Sequence, residues 1–474
     1  MTGYLPADPW TVLFAAVAGV LGVLASGHAL INKRRPRSAF GWIAVCLMFP
    51  LAGAALYYLF GVNRTRRRAQ RLREDDLPEP AAAAFTVEPE EALAPLARLG
   101  EAVSGGPLLA GNDVEILHGG EAAYPAMLEA IDTAAERVLL SSYIFDRDDT
   151  GTAFADALGR AVDRGVEVRV LLDGVGELYS WPRARHLLAR RGVDVRRFLP
   201  PRLLPPSFMI NLRNHRKILL VDDRVGFTGG MNVSDRHLLA RAPAGRRDRR
   251  VVDVHFALRG PVLDRLLAIF DSDWAFAGGP ERHHRLTPVR AGEARCRAIA
   301  DGPDEELDRL LLLITGAIGL ARRRVAIMTP YFVPPRELLG ALQAAALRGV
   351  DVAILLPAHN NLFFVHRATR HLLWELLQRG VRVHYQPGPF VHSKLLLVDD
   401  DYAQIGSANL DPRSLRLNFE LTVEVFDRPT VTALWAHVEA ARAQSPEVTL
   451  ADVDGRRLGT RLVDGVAWLF SPYL

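Results

Sequence analysis

In two stretches of the chain a histidine stands two residues before a lysine and seven before an aspartate. The first, Asn214–Asn232, reads NHRKILLVDDRVGFTGGMN, and the second, Val391–Asn409, reads VHSKLLLVDDDYAQIGSAN. Lysine is rare here. Of 58 Lys plus Arg, only Lys33, Lys217 and Lys394 are lysines, and two of the three sit in these stretches. With 14 histidines, composition predicts on the order of 0.005 chance matches to His-x-Lys-x4-Asp. Two matches, each followed at the same offset by Gly-small-x-Asn, are not coincidence.

Lys217–Asp223 and Lys394–Asp400 read as strands, where side chains at i and i+2 share a face. His215 then points the same way as Lys217, and His392 the same way as Lys394. Asp222 and Asp399 lie past the strand and face elsewhere. The turns TGGMN and IGSAN add the amides of Asn232 and Asn409 and the Ser407 hydroxyl, with small residues that let donors approach an anion. A duplicated His–Lys pair suits a phosphodiester. One imidazole can attack phosphorus and the other can move protons to the leaving oxygen and from the acceptor. Two ammonium groups and two amides can hold the non-bridging oxygens. An ammonium is a compact point charge where Arg is a rigid fork, which explains lysine in an arginine-biased chain.

The elements that position these residues occur twice. RVLLSSYIF (Arg137–Phe145) resembles RVAIMTPYFV (Arg324–Val333). RGVEVRVLLDG (Arg164–Gly174) resembles RGVDVAILLPA (Arg348–Ala358), and RRGVDVRRFLP (Arg190–Pro200) resembles QRGVRVHYQPG (Gln378–Gly388). Each set ends in a His-x-Lys stretch, so two homologous domains are expected. Short β-branched runs alternate with helical ones such as Ala153–Arg164, and Gly165 and Gly349 mark helix ends. That alternation predicts α/β domains.

The chain has 474 residues, 49 % hydrophobic and 24 % charged, with a net charge of +4 and two cysteines. The charge is too small to argue for nucleic acid, and Cys46 and Cys296 support neither a disulfide framework nor a zinc site. The N-terminal end is apolar over Trp10–Ile31 and again over Ala39–Val62. Each run is long enough to cross a hydrocarbon core of about 30 Å. Arg and Lys follow both runs: Lys33, Arg34, Arg35 and Arg37, then six arginines from Arg64 to Arg73. The positive-inside rule puts the residues after Gly61, and the catalytic domains, on the cytoplasmic face of the cell membrane. Two true spans then leave the first basic loop outside; a re-entrant hairpin, with both basic flanks on one face, removes that conflict. The Glu/Ala/Pro-rich segment after Arg73 reads as a linker. The expected layout is a hairpin over 1–68 (spans about 10–31 and 39–62), a linker over 69–111, and domains over 112–290 and 291–474. The terminal VAWLFSPYL is apolar enough to lie on a bilayer or to be core.

With these residues in view, the sequence resembles the phospholipase D superfamily with its paired HKD motifs, His215, Lys217, Asp222 and His392, Lys394, Asp399. It looks most like the bacterial cardiolipin synthases of that superfamily, through RRPRSAFGWIAVCLMFPLAGAALYYLFG, RNHRKILLVDD, TGGMN, TPYFVP, HSKLLLVDD and GSANLDPRSLRLNFE. The resemblance implies two tandem phospholipase D-like α/β domains sharing one active site, behind a two-helix membrane hairpin. It implies no metal and no cofactor, a phosphohistidine intermediate, and transfer between two phosphatidylglycerols to give cardiolipin and glycerol. Phosphatidylglycerol and other anionic phospholipids are the expected partners. His215 is the expected nucleophile and His392 the acid/base. A downstream carboxylate is expected to orient each histidine, Asp253 in the first copy and Glu420 in the second. The family more often has Arg before the first of these; Val252 stands there. Asp222 and Asp399 are expected to be structural. A hydrolase, a transferase using another alcohol, a nuclease and a non-enzymatic scaffold are the alternatives. The membrane hairpin counts against a nuclease, and the intact histidines and lysines of both copies against a scaffold.

Overall fold

A computed structural model of the chain describes residues 8–33, 36–62, 81–87, 93–201, 212–240, 249–280, 286–302 and 308–471. Arg34, Arg35 and the Arg64–Arg73 flank lie outside the described residues. The chain divides into two compact units, an N-terminal one ending at Arg71 and a catalytic body that follows it.

In the first unit, helix α1 (Pro9–Asn32) is capped by the Asp8 carboxylate, which accepts from Trp10 N. At 24 residues it is about 36 Å long and, among the described residues, is the one helix long and apolar enough to cross a membrane. The second apolar run is not the continuous span expected. It breaks at Phe49 into α2 (Pro36–Met48) and α3 (Pro50–Leu56), followed by a π-helical turn at Tyr57–Gly61. The cause is Pro50, which lacks an N–H and whose ring would meet the carbonyl four residues back. Phe49 leaves the helical region, with φ −131° and ψ 71°. Helix α3 folds back on α2 so closely that a Cβ on Gly53 would lie 2.3 Å from the Val45 carbonyl oxygen. The return is fixed by the Lys33 ammonium donating to Gly61 O at 2.6 Å and by His28 Nδ1 meeting the Tyr57 hydroxyl at 2.8 Å. Lys33 and Gly61 therefore lie at the same end of the unit.

The catalytic body opens with α4 (Ala94–Ser104), inside the segment read as linker. Its Leu96 and Ala97 are core residues. It is pinned by buried Arg297, whose guanidinium donates to Ala97 O at 2.9 Å and to Glu424 at 2.7 Å. There follow β1 (Leu109–His118), α5 (Gly119–Asp132), β2 (Arg137–Ser142), α6 (Asp149–Asp163), β3 (Glu167–Asp173), α7 (Ala184–Ala189), β4 (Asp194–Phe198), β5 (Ile218–Val221), β6 (Val225–Gly229), β7 (Val251–Val252), β8 (Val254–Arg259) and α8 (Val262–Phe276). The second half repeats the plan with β9 (Ala294–Asp301), α9 (Arg309–Leu320), β10 (Arg324–Met328), α10 (Arg336–Leu347), β11 (Asp351–Pro357), α11 (Phe363–Leu377), β12 (Arg382–Gln386), β13 (Phe390–Val391), β14 (Leu395–Val398), β15 (Tyr402–Gly406) and β16 (Glu420–Phe426). Helices α12 (Arg428–Ala443), α13 (Leu450–Asp454) and α14 (Leu458–Leu469) close the chain.

Fourteen strands form one sheet in the order β12-β11-β10-β14-β15-β16-β9-β1-β8-β6-β5-β2-β3-β4. Read outward from the β9/β1 junction, the two halves have the same order, so the repeat in sequence is a repeat in space. The β2/β3/β4 and β10/β11/β12 trios are parallel and the other neighbours antiparallel. Strands such as β5, β6 and β14 are buried along their whole length, as expected for a sheet covered by helices on both faces. Gly165 (φ +83°) and Gly349 (φ +89°) end α6 and α10 in the left-handed conformation, as the sequence predicts. The terminal helix α14 is both core and surface, with Ala467 and Asp464 buried and Leu458, Leu462, Val466 and Leu469 exposed.

Candidate active site

The two His-x-Lys stretches come together where the two halves of the body meet. His215 and Lys217 lead into β5, and His392 and Lys394 lead into β14. All four side chains are buried. Each histidine segment is zipped to the backbone of the opposite half. His215 N donates to Phe419 O (2.9 Å) and Phe419 N to Arg213 O (2.8 Å), while β13 pairs in parallel with β7 and His392 N donates to Val252 O (2.7 Å).

This zip overturns the expected carboxylate pairing. Glu420 follows Phe419, so it meets His215, with Oε2 3.0 Å from His215 Nδ1. Asp253 follows Val252, so it meets His392, with Oδ2 2.9 Å from His392 Nδ1. Each histidine is thus held by the other half's carboxylate, not its own. Val252, which stands where the resemblance led to an expected arginine, supplies its backbone carbonyl to His392 N.

The two carboxylates are seated differently. Ser407 Oγ donates to Glu420 Oε2 (2.6 Å) and Asn418 Nδ2 to Oε1 (3.1 Å). At the position equivalent to Ser407 stands Gly230, where a Cβ would lie 2.4 Å from Asp253 Oδ2. Asp253 accepts instead from Val254 N (2.8 Å). The electrostatics differ accordingly. Burial pushes Glu420 upward, but His215, Lys217 and Ser407 outweigh it and hold the carboxyl below its usual range. Burial wins at Asp253 and raises it, against Lys394 and two nearby histidines.

Burial also lowers the bases. His215 is pushed below its ordinary value despite Glu420, and His392 well below, with Lys394, Lys217 and His215 adding to the effect. The Lys217 ammonium is pushed down to about 7 and that of Lys394 to about 8, again chiefly by burial. Each lysine folds back on the histidine two residues before it: Lys217 Nζ donates to His215 O at 2.6 Å, and Lys394 Nζ donates to His392 O. With Nδ1 of both histidines on carboxylates, Nε2 is the nitrogen left for a substrate.

The two motif aspartates fall outside this centre. Asp222 accepts from Ala135 N, Glu136 N and Arg137 N at 2.9–3.1 Å, and Asp399 from Arg322 N, Arg323 N and Arg324 N at 2.8–3.0 Å. Both adopt a left-handed backbone, φ +51° and +50°. They tie the end of the histidine strand to the start of the neighbouring one. Asn232 Oδ1 accepts from Ile144 N (3.1 Å), which fixes its amide, while Asn409 Nδ2 reaches Ser414 Oγ at 3.2 Å.

Several residues at the site were not picked out in the sequence. Tyr143 packs edge-on to His215 at 5.2 Å, and Tyr331 to His392 at 6.3 Å. Their signal was the YIF/YFV element of the repeat, read as topology rather than chemistry. Asp173, at the end of β3, accepts from Val175 N, Gly176 N and Asn214 N and so braces the His215 segment. His237 and His255 are buried beside Asp253, and burial lowers them to about 3 and about 4. His255 stands two residues after Asp253, a spacing that could have revealed it.

Comparison with known proteins agrees with this geometry. Residues 127–274 and 314–441 match the family described as cardiolipin synthase, PLD-like domain, and residues 20–61 match a phospholipase D-nuclease N-terminal family. The chain is similar to cardiolipin synthase A of Pseudomonas putida, 35 % identical with 96 % of each chain covered. The same protein of Pseudomonas aeruginosa is 35 % identical over 96 % of this chain and 94 % of that one. A crystal structure of phosphatidylserine synthase from Haemophilus influenzae covers 80 % of this chain and all of its own, with a TM-score of 0.60 at 15 % identity, a likeness of fold.

The crossed pairing has a signed consequence. Glu420 raises the His215 pKa, so Glu420→Gln should lower it further and leave His392 less affected. NMR titration of 15N-labelled histidines reads both shifts. A change at His392 with His215 unmoved would refute the crossed assignment.

Proposed function

The chain belongs to the family of phospholipase D-like cardiolipin synthases, and from that premise we propose that it transfers a phosphatidyl group from one phosphatidylglycerol to another, giving cardiolipin and glycerol. The observation that carries this reading is the pair of histidines, each with Nδ1 on a carboxylate, set among two buried lysines. In the first step His215 Nε2 attacks phosphorus. The P–N bond forms, the P–O bond to glycerol breaks, and His392, protonated once the negative charge of the bound phosphodiester offsets the lysines that lower it, gives its proton to the leaving oxygen. In the second step His392 takes the proton of the acceptor's glycerol hydroxyl as that oxygen attacks phosphorus and releases His215. His215 is assigned the covalent role because Glu420, kept ionised by His215, Lys217 and the Ser407 hydroxyl, suits the positive charge of a phosphohistidine. Lys217 and Lys394 carry the charge that stabilises the phosphoryl oxygens as bonds change.

The direct experiment incubates the full chain with phosphatidylglycerol vesicles, with and without a chelator, and analyses lipids and released glycerol. Cardiolipin and glycerol in equal amounts in both arms are expected. Phosphatidic acid as the main product would make water the acceptor and the enzyme a hydrolase.

The lysines set the alkaline limit. Their ammonium groups carry the charge at pH well under about 7 and 8 and lose it as pH rises through those values. The kcat/KM profile should therefore fall with an apparent pKa in that window, instead of above 10 as for ordinary lysines, roughly 10.4 in the open chain. Activity level to roughly pH 9.5 would contradict this.

The first unit reads as a membrane anchor in which α1 crosses the bilayer while α2 and α3 enter and return. Lys33 and Gly61 at one end then satisfy the positive-inside rule with both basic flanks cytoplasmic. In intact cells, a Cys46→Ala background carrying Phe49→Cys should resist impermeant maleimide from outside. Labelling there would mean that α2 spans.

A further inference from the structure

Strands β3 and β11 are each seven residues long and start 184 residues apart (351 − 167). The same offset relates Leu178 to Leu362 and Tyr179 to Phe363, just beyond the C-terminal ends of these strands. Every one of these four side chains is exposed, and so are Trp181 and Phe364 beside them; exposure runs from 43 % at Leu362 to 85 % at Trp181. Each cluster is one tyrosine away from a reactive histidine. Tyr179 lies 6.2 Å from the Tyr143 ring that packs on His215. Asn361, next to Leu362, accepts from the Tyr331 hydroxyl at 2.9 Å, and Tyr331 packs on His392.

Exposed apolar side chains scattered singly are ordinary, but matched clusters flanking a site are not. A soluble phosphodiester would be served by a polar rim. Tyr and Trp combine an apolar body with a polar tip, which suits the boundary between headgroups and acyl chains. An arginine adjoins each cluster. Exposed Arg147 donates its backbone N–H to Ser180 Oγ at 3.0 Å, and the Arg367 guanidinium lies 5.0 Å from the Phe363 ring centre. The Arg367 charge is met by buried Asp464 at 3.1 Å, so exposed Arg147 is the cation that complements an anionic lipid surface.

We propose that the two clusters, Leu178–Tyr179–Trp181 and Leu362–Phe363–Phe364, form the surface on which the catalytic body docks to an anionic phospholipid bilayer, one cluster on each side of the histidine pair. The inference rests on the lipid-substrate reading above, and it adds where the bilayer meets the body. Docked in this way, the enzyme takes a phosphodiester from the headgroup layer without lifting the lipid's acyl chains into water.

The test uses the full chain reconstituted in phosphatidylglycerol/phosphatidylcholine vesicles. A fluorophore is placed at Trp181→Cys or Phe364→Cys in a Cys46→Ala/Cys296→Ala background, with Leu347→Cys at the end of α10 as the control. Quenching of the two rim labels by spin-labelled lipid, with the control quenched by aqueous iodide alone, is expected. Rim labels quenched by iodide as the control is would overturn the proposal. So would self-quenching that grows with protein-to-lipid ratio, because a second copy would then occupy the surface. This readout needs no turnover, so it stands apart from failure to make cardiolipin. Where turnover is seen, Leu178→Ser/Trp181→Ser and Phe363→Ser/Phe364→Ser should each slow transfer on vesicles about tenfold or more. With short-chain phosphatidylglycerol dissolved as monomers, the change should stay within about twofold. Equal losses on both substrates would make the clusters part of the site's scaffold and defeat the docking assignment.

Discussion

Each histidine of the site is held by a carboxylate from the opposite half of the molecule, and the rest of the body can be understood from that crossing. Removing an ion from water costs several kcal/mol unless a partner is supplied. The centre buries two lysines, two histidines, Glu420 and Asp253 together. One half alone would bury Glu420 without His215, or Asp253 without His392. Neither half can carry the site by itself, so the two are bound into one fourteen-stranded sheet through β1 and β9. The zip of His215 to Phe419 and of β13 to β7 is the local expression of the same constraint.

The duplication is not symmetric in chemistry. Ser407 faces Gly230 across the pseudo-twofold relation, so one carboxylate gains a hydroxyl donor and the other a close glycine. Glu420 is stabilised as an anion, and Asp253 is raised by burial beside His237 and His255. A two-step transfer asks one histidine to bear a positive charge while bonded to phosphorus and the other to cycle a proton. Two identical environments would serve neither task well. One source of the asymmetry is the hydroxymethyl group that residue 407 has and residue 230 lacks; Asn418 beside Glu420, and His237 and His255 beside Asp253, add to it.

Much of this was legible in the sequence, for reasons that differ by residue. His215, Lys217, His392 and Lys394 were found because their types and spacing recur, and Gly165 and Gly349 because a left-handed helix end favours glycine. The structural role of Asp222 and Asp399 followed from their place past the strand. The partners of the histidines did not follow. Pairing across halves depends on which strand ends meet, and linear order favours the nearer carboxylate. Asp173, Tyr143 and Tyr331 were hidden similarly, since their roles come from tertiary contact with a histidine segment far along the chain. The second apolar run was read by length and composition, which do not weigh the missing N–H and the ring of Pro50. The close contact of Gly53 with Val45 that turns the kink into a reversal is invisible to hydropathy.

The scarcity of lysine in an arginine-rich chain finds its physical explanation at Nζ. Lys217 and Lys394 each reach back to the carbonyl of the histidine two residues earlier. A flexible stem ending in a small ammonium can make that return within a crowded space, whereas a guanidinium brings a planar fork with five donors to satisfy. Burial matters as much as shape. An ammonium lowered to about 7 or 8 can shed its proton when the site is empty and regain it when a phosphodiester supplies negative charge. Arginine has no such escape, because it stays protonated well above any working pH. In a site that must hold two cations close together between substrates, the residue able to give up its charge is the less costly one to bury.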